Sequence, residues 1–140
     1  VSDLEARLRA AFQVANERQG AGLDDFFRLY HDDVYFEDPM QRAHGKEAFT
    51  RAMRRMYRNL RDVEIQFQTF SGSDTQAHAT WTMRFRPKLG PTIVVEGASL
   101  FQLRDGLILV HRDYWDLLSS LMETSPLTAL VYRAITRRLA

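Results

Sequence analysis

Two aspartates sit where a carboxylate would do chemistry rather than simply face water. Asp38 follows the short extended run Val34 to Glu37 and precedes Pro39. Pro39 cannot donate to a sheet ladder and holds Asp38 out of the αR region, so this carboxyl is expected at a strand end beside Phe36. A carboxylate that is partly desolvated there, yet reachable, has its pKa raised toward usefulness as a general base. The plainer alternative is a turn in which the same carboxylate takes up nearby backbone N–H groups. Asp113 falls in the middle of an otherwise apolar run, Leu107 to Trp115. Burial there is costly unless the acid is paired or protonated. Arg112, Arg84 and His111 are its candidate partners. His111, two residues away, shares its strand face, either as half of an acid/base pair or as a structural histidine.

Other chemistries are excluded or unsupported. The chain has no cysteine, which removes thiol catalysis, zinc–cysteine sites and disulfides. Its four histidines, His31, His44, His78 and His111, are dispersed, so no metal site is expected. There is no Gly-rich phosphate loop and no Gly-x-Ser-x-Gly nucleophile motif. Nineteen basic residues against 18 acidic ones leave a net charge of +1, which gives no general pull toward nucleic acid. The basic runs Arg51, Arg54, Arg55, Arg58, Arg61 and Arg133, Arg137, Arg138 are expected on solvated helix faces. No apolar stretch approaches the ~20 residues of a membrane span. Val1-Ser2-Asp3-Leu4-Glu5 lacks the pattern of a signal peptide, so a cytoplasmic location is expected. The chain does not start with Met, which leaves room for a removed leader.

The elements that must position these aspartates follow from periodicity. Ser2, with Glu5, can cap a helix carrying Leu4, Leu8, Ala11, Phe12 and Ala15. Gly20-Ala21-Gly22 breaks it, and a short second helix starts at Asp24-Asp25. After the brief strand and its Asp38-Pro39 stop, Phe49, Met53, Met56 and Leu60 mark a third helix from Lys46. Beyond Leu60 the period changes to two. Strands are expected over Val63 to Thr69, Thr75 to Arg86, Thr92 to Leu103 and Leu107 to Trp115, the last two joined by an Asp105-Gly106 hairpin turn. Asp116 is expected to cap a short helix, and Leu127 to Leu139 reads as a final amphipathic helix that packs its apolar stripe as a lid or against a partner. Segregated helices and an antiparallel meander make this an α+β chain, one domain over 1–140 with 126–140 as a C-terminal helical extension.

Three stretches carry a family likeness: Leu23 to Asp33 with Phe36-Glu37-Asp38-Pro39, then Gly45-Lys46-Glu47-Ala48-Phe49, then Phe101 to Gly106 with His111-Arg112-Asp113-Tyr114-Trp115-Asp116. Together they resemble the nuclear transport factor 2-like superfamily, which includes ketosteroid isomerases, limonene-type epoxide hydrolases and SnoaL-like polyketide cyclases. The resemblance implies a cone-shaped, curved antiparallel sheet wrapped around the N-terminal helices. It places Asp38 at the general base of the isomerases and Asp113 at a substrate-activating aspartate of the epoxide hydrolases. The isomerases' oxyanion-holding tyrosine and acid fall at Val14 and Ser99, and the hydrolases' remaining Arg and Asp fall at Thr80 and Thr82. The chain thus keeps one acid from each class and the full site of neither.

One conflict arises on the strand Thr75 to Arg86. Amphipathicity points Trp81, Met83 and Phe85 inward, whereas the resemblance points Thr80 and Thr82 into a pocket, brings Arg84 near it, and leaves the aromatic face for a partner sheet. The second register is taken here. The expected protein is then a cofactor-independent small-molecule enzyme, an isomerase or cyclase with Asp38 as base, acting on a small apolar molecule. Asp113 would orient substrate or shuttle a proton, with Phe36, Thr80, Thr82, Arg84, Ser99, His111 and Trp115 lining the site. The expected assembly is a homodimer through the sheet. The rivals are a non-catalytic ligand-binding domain, and an interaction module or epoxide hydrolase-like enzyme.

Overall fold

The computed structural model describes residues 2–122 and 125–139. The Ser2 side chain, and with it the expected cap, lies outside the described groups. Helix α1 (Ser2–Arg18) and a 3₁₀ turn (Gln19–Gly22) lead into α2 (Asp24–Phe27), β1 (Tyr30–Glu37), β2 (Arg42–His44) and α3 (Lys46–Asn59). Strands β3 (Leu60–Gly72), β4 (Gln76–Pro87), β5 (Ile93–Arg104) and β6 (Leu107–Trp115) form the antiparallel meander. Helices α4 (Leu117–Met122) and α5 (Pro126–Leu139) follow. Asp116 does cap α4, its Oδ1 accepting the Ser119 N–H at 2.9 Å. Asp105 and Gly106 both take positive φ, +53° and +76°, as a two-residue hairpin turn of this kind requires.

The apolar spacing of the helices becomes one core. Leu4, Leu8, Ala11, Phe12 and Ala15 of α1, Phe26 and Phe27 of α2, and Phe49, Ala52 and Met53 of α3 are buried together with Val34, Phe36, Val63, Ala77, Ala79, Phe101 and Ile108 of the sheet. All the helices up to α3 therefore cover one sheet face. Phe26 is central, with its ring 4.8 Å from that of Phe12 and 4.9 Å from that of Tyr30.

The sheet corrects the expected architecture. It is not a curved, cone-shaped antiparallel sheet. It is an open, mixed six-stranded sheet in the order β2-β1-β6-β5-β4-β3, neither strongly curled nor closed, and β1 runs parallel to β6. The physical reason lies at its edges. Closure needs the outward backbone groups of β3 to pair with another strand, and α1 already occupies them. The Asn16 amide donates to the Ile65 carbonyl and accepts the Ile65 N–H, both at 2.9 Å. Gln19 does the same for Val63, again at 2.9 Å in each direction. Arg9 Nη1 donates to the Phe67 carbonyl at 2.6 Å. Helix α1 and the 3₁₀ turn that follows it thus imitate a neighbouring strand and mask an edge that would otherwise invite pairing between molecules.

The facing of β4 is a second correction. Ala77, Ala79 and Trp81 are buried and Met83 and Phe85 pack against the core, while His78, Thr80, Arg84 and Arg86 are exposed on the opposite face. Strand alternation alone gives this result. Trp81, Met83 and Phe85 therefore lie on the core-side face of β4, with Trp81 buried and Met83 and Phe85 half-buried, and not on the outer face where the family register put them. Within the chain, α5 does not bury its stripe either. Leu127, Leu130, Val131, Ile135 and Leu139 are exposed and Ala129 is buried.

The masked edge makes a measurable claim. Replacing both Asn16 and Gln19 by Ala leaves four backbone groups of β3 without these partners. Urea unfolding should show a loss of about 2 kcal/mol for the pair, near 1 per amide. Analytical ultracentrifugation should show more self-association than in the parent chain. Unchanged values in both would mean that water satisfies the edge equally well.

Candidate functional site

The middle of the sheet carries a chain of polar side chains on its helix-facing side. On β5 and β6, Ser99 stands opposite Asp113 and Phe101 opposite His111. On the parallel pair, Phe36 is level with His111 and Glu37 with Arg112. Continuing that register by one residue sets Asp38 beside Asp113, on the face that Phe36 and His111 share.

The hydrogen bonds run through all these elements. Trp81 Nε1 donates to Ser99 Oγ at 2.8 Å, and Ser99 Oγ donates to Asp113 Oδ1 at 2.5 Å. His111 Nε2 lies 2.6 Å from the same Asp113 oxygen, and His111 Nδ1 lies 2.8 Å from the Tyr30 hydroxyl. Tyr30, Ser99 and His111 are 1%, 4% and 7% exposed. The imidazole is boxed by the rings of Phe101 at 4.6 Å and Phe36 at 5.2 Å. In such apolar surroundings these bonds are strengthened, and any unmade one would be costly.

Local sequence explains how the arm from Trp81 is seated. Gly97 lies directly opposite Trp81, and a Cβ at Gly97 would collide with the indole ring. The glycine therefore lets the indole lie across β5 and reach Ser99, two residues along.

Asp38 is held differently. Its Oδ1 accepts the backbone N–H groups of Met40 at 2.7 Å and Gln41 at 2.9 Å, the turn expected of Asp-Pro. Burial nevertheless raises its pKa, the Met40 and Gln41 N–H bonds oppose that rise, and the negative charge of Asp113 adds to it. The turn and the perturbed acid are thus the same residue.

The structure brings together Asp38, Asp113, Phe36, Ser99 and His111, and strand alternation puts Trp115 on the same face beyond Asp113. It does not bring Thr80, Thr82 and Arg84 there. Thr80 Oγ1 lies 2.6 Å from Thr69 Oγ1 and Thr82 Oγ1 accepts from Gln68 at 2.7 Å, all on the outer face. Of the three partners considered for Asp113, His111 is the one it has. Sequence reading missed Tyr30 and Trp81 as members of this network. The available signal was a phenol and an indole N–H at buried positions, each of which must find a partner. Among the described residues no three His, Asp or Glu side chains are grouped as a metal ion would need. None of the described helices is long and apolar enough to cross a membrane.

A family model for the SnoaL-like domain matches residues 8–111. The chain belongs to the SnoaL-like domain family. Solved structures share this fold. One is a proposed SnoaL-like polyketide cyclase from Jannaschia sp. CCS1, 16% identical, with a TM-score of 0.71, covering 88% of this chain and 91% of that one. A second is an LEH-like epoxide hydrolase from M. tuberculosis, 19% identical, with a TM-score of 0.66 and coverage of 91% and 94%. A third is TsrD from Streptomyces laurentii, 24% identical, with a TM-score of 0.66 and coverage of 85% and 94%. Among curated proteins none matches the sequence. In this SnoaL-like domain the family match ends at His111, so Asp113 and Trp115 lie just past it.

The raised pKa of Asp38 has a consequence for stability. The folded state holds the Asp38 proton more tightly than the unfolded chain, whose carboxyl titrates near 3.8. As pH climbs from that value through the raised one, the folded state therefore loses stability relative to the unfolded. Asp38→Asn keeps an oxygen for the Met40 and Gln41 N–H groups and removes the titration. Thermal unfolding from pH 3 to 7 should show the variant gaining on the parent as pH rises through that window. Parallel curves would contradict the shift.

Proposed function

We propose that the SnoaL-like domain binds a small, mostly apolar carbonyl compound and catalyses its isomerisation or cyclisation by proton abstraction, with Asp38 as the base and Asp113 orienting the substrate. The observation that carries this reading is the pair of carboxylates on adjacent strands of the helix-facing sheet surface. One is desolvated with a raised pKa and the other is anchored by side-chain donors. A base whose pKa lies nearer the working pH both accepts a proton from carbon and returns it. In the forward step the C–H electron pair passes into the carbonyl as an enolate and the proton moves to an Asp38 oxygen. Return of that proton to a different carbon completes an isomerisation.

The similarity in fold to a proposed polyketide cyclase and an epoxide hydrolase supports small-molecule chemistry in this family. Ketosteroid isomerisation is a poor fit. Ser99 stands where those enzymes have an acid, and its hydroxyl hydrogen is committed to Asp113. It therefore gives no donor to an oxyanion, a loss that typically costs about 10²–10³ in rate. A non-catalytic ligand-binding role is the second reading. It is favoured by the fact that both carboxylates already carry hydrogen-bond donors.

Exchange of the α-protons of 2-tetralone in deuterated water, followed by proton NMR, tests the first reading. The parent chain should accelerate exchange, and Asp38→Asn should lower the acceleration by roughly 10²–10⁴. Asp113→Asn should raise KM more than it lowers kcat. Saturable binding of 2-tetralone with no acceleration would favour the second reading and reject the first.

A further inference from the structure

We infer that Tyr30 is a positioning residue, acting through His111 to fix Asp113 so that its second oxygen, Oδ2, is presented to a hydroxyl group of the ligand. This rests on the reading of Asp113 as substrate-orienting and adds the ligand's chemistry: an apolar compound bearing a hydroxyl or enol O–H.

The direction of every hydrogen bond follows from what each atom can donate. Trp81 Nε1 is a donor only, so Ser99 Oγ accepts there and its own hydrogen goes to Asp113. The Tyr30 hydroxyl has one partner among the described residues, His111 Nδ1. If Nδ1 carried the proton, the phenol hydrogen would be left buried without an acceptor, at a cost of a kind that buried groups avoid. The phenol therefore donates to Nδ1, and burial, with the charge of Asp113 second, raises its pKa well above the usual value, keeping that proton in place. A neutral imidazole that accepts at Nδ1 carries its hydrogen at Nε2, where Asp113 receives it.

Two arms thus converge on a single atom, Trp81 to Ser99 from one side and Tyr30 to His111 from the other, both ending at Asp113 Oδ1. No described residue donates to Oδ2. That oxygen is also not among the fully buried polar atoms without a partner, which are Tyr57 Oη and Arg112 Nε. It is therefore open to contact from outside the network. A carboxylate oxygen held this way accepts hydrogen bonds, so it selects a ligand donor. Asp38, one register step away, faces the same ligand.

Two measurements on the full chain decide this, and neither depends on proton exchange from carbon. The first is long-range proton–nitrogen correlation NMR of the ¹⁵N-labelled histidines near neutral pH. His111 should show the Nε2–H tautomer with Nδ1 as a hydrogen-bonded acceptor, and Tyr30→Phe should move the Nδ1 resonance toward that of a free acceptor. A proton on Nδ1 in the parent chain overturns the proposal even if no variant folds. The second compares phenol with toluene, near-isosteric ligands that differ in the hydroxyl, by isothermal titration calorimetry. The parent chain should prefer phenol by roughly ten- to a hundredfold, as expected for a hydrogen bond to a charged group. Asp113→Asn should abolish most of the preference, and Tyr30→Phe and Ser99→Ala should each reduce it severalfold. Equal affinity for phenol and toluene in the parent, or an unchanged ratio in folded Tyr30→Phe, overturns the proposal. If these results hold while 2-tetralone exchange fails, the oriented hydroxyl site stands and the general-base reading falls.

Discussion

A carboxylate half-buried on a sheet face that is packed against helices must be supplied with donors, and the arrangement around Asp113 follows from that need. Desolvating an unpaired carboxylate costs several kcal/mol or more, a large share of the roughly 5–15 kcal/mol that keeps a domain folded. The chain meets the need from two directions, with Ser99 on β5 and His111 on β6 itself, and Tyr30 at the start of β1 holds His111 from behind. Each donor is held by strand pairing, not by a loop, which limits how far Asp113 can stray from one orientation.

That rigidity depends on the rest of the sheet being held in register. The meander β3 to β6 is secured at one end by the Asp105-Gly106 turn and at its outer edge by the Asn16 and Gln19 amides. A slip of one residue between β5 and β6 would move Ser99 to the opposite face from Asp113 and leave the acid without one of its donors. A slip between β4 and β5 would move Gly97 from beneath the Trp81 indole and close the space it needs. The parallel pairing of β1 with β6 places Asp38 next to Asp113, which an antiparallel neighbour with a tight turn would not do at this point in the chain. The open, mixed sheet is thus part of how the two acids meet.

Much of the frame was legible in the sequence, because the local physics agreed with the fold. The helical spacing of Leu4 to Ala15, the change to period two after Leu60, the Asp-Gly hairpin and the Asp116 cap all correspond to what forms. Asp38, Asp113 and His111 could be singled out as acids and a histidine in apolar surroundings. The facing of β4 was also legible from Trp81, Met83 and Phe85, and analogy with distant enzymes obscured it. What sequence could not supply were long-range pairings. Tyr30 and His111 are 81 positions apart, and nothing local to either residue names the other. The imitation of a strand by Asn16 and Gln19 spans more than 40 positions. Polar residues on a helix read as solvated until the edge they cover is known.

Two carboxylates of like charge near one another resist being ionised together, and here their settings differ. At Asp113 both arms of side-chain donors are already oriented toward one oxygen, so negative charge there requires no rearrangement. At Asp38 the turn supplies two backbone N–H groups, but burial and the neighbouring charge outweigh them. Asp38 also stands at a strand end, where the chain leaves the sheet. The raised pKa and the two-armed anchor are thus on different residues. Such a division suits the proposed site, in which one acid exchanges protons with a ligand while the other sets the ligand's orientation.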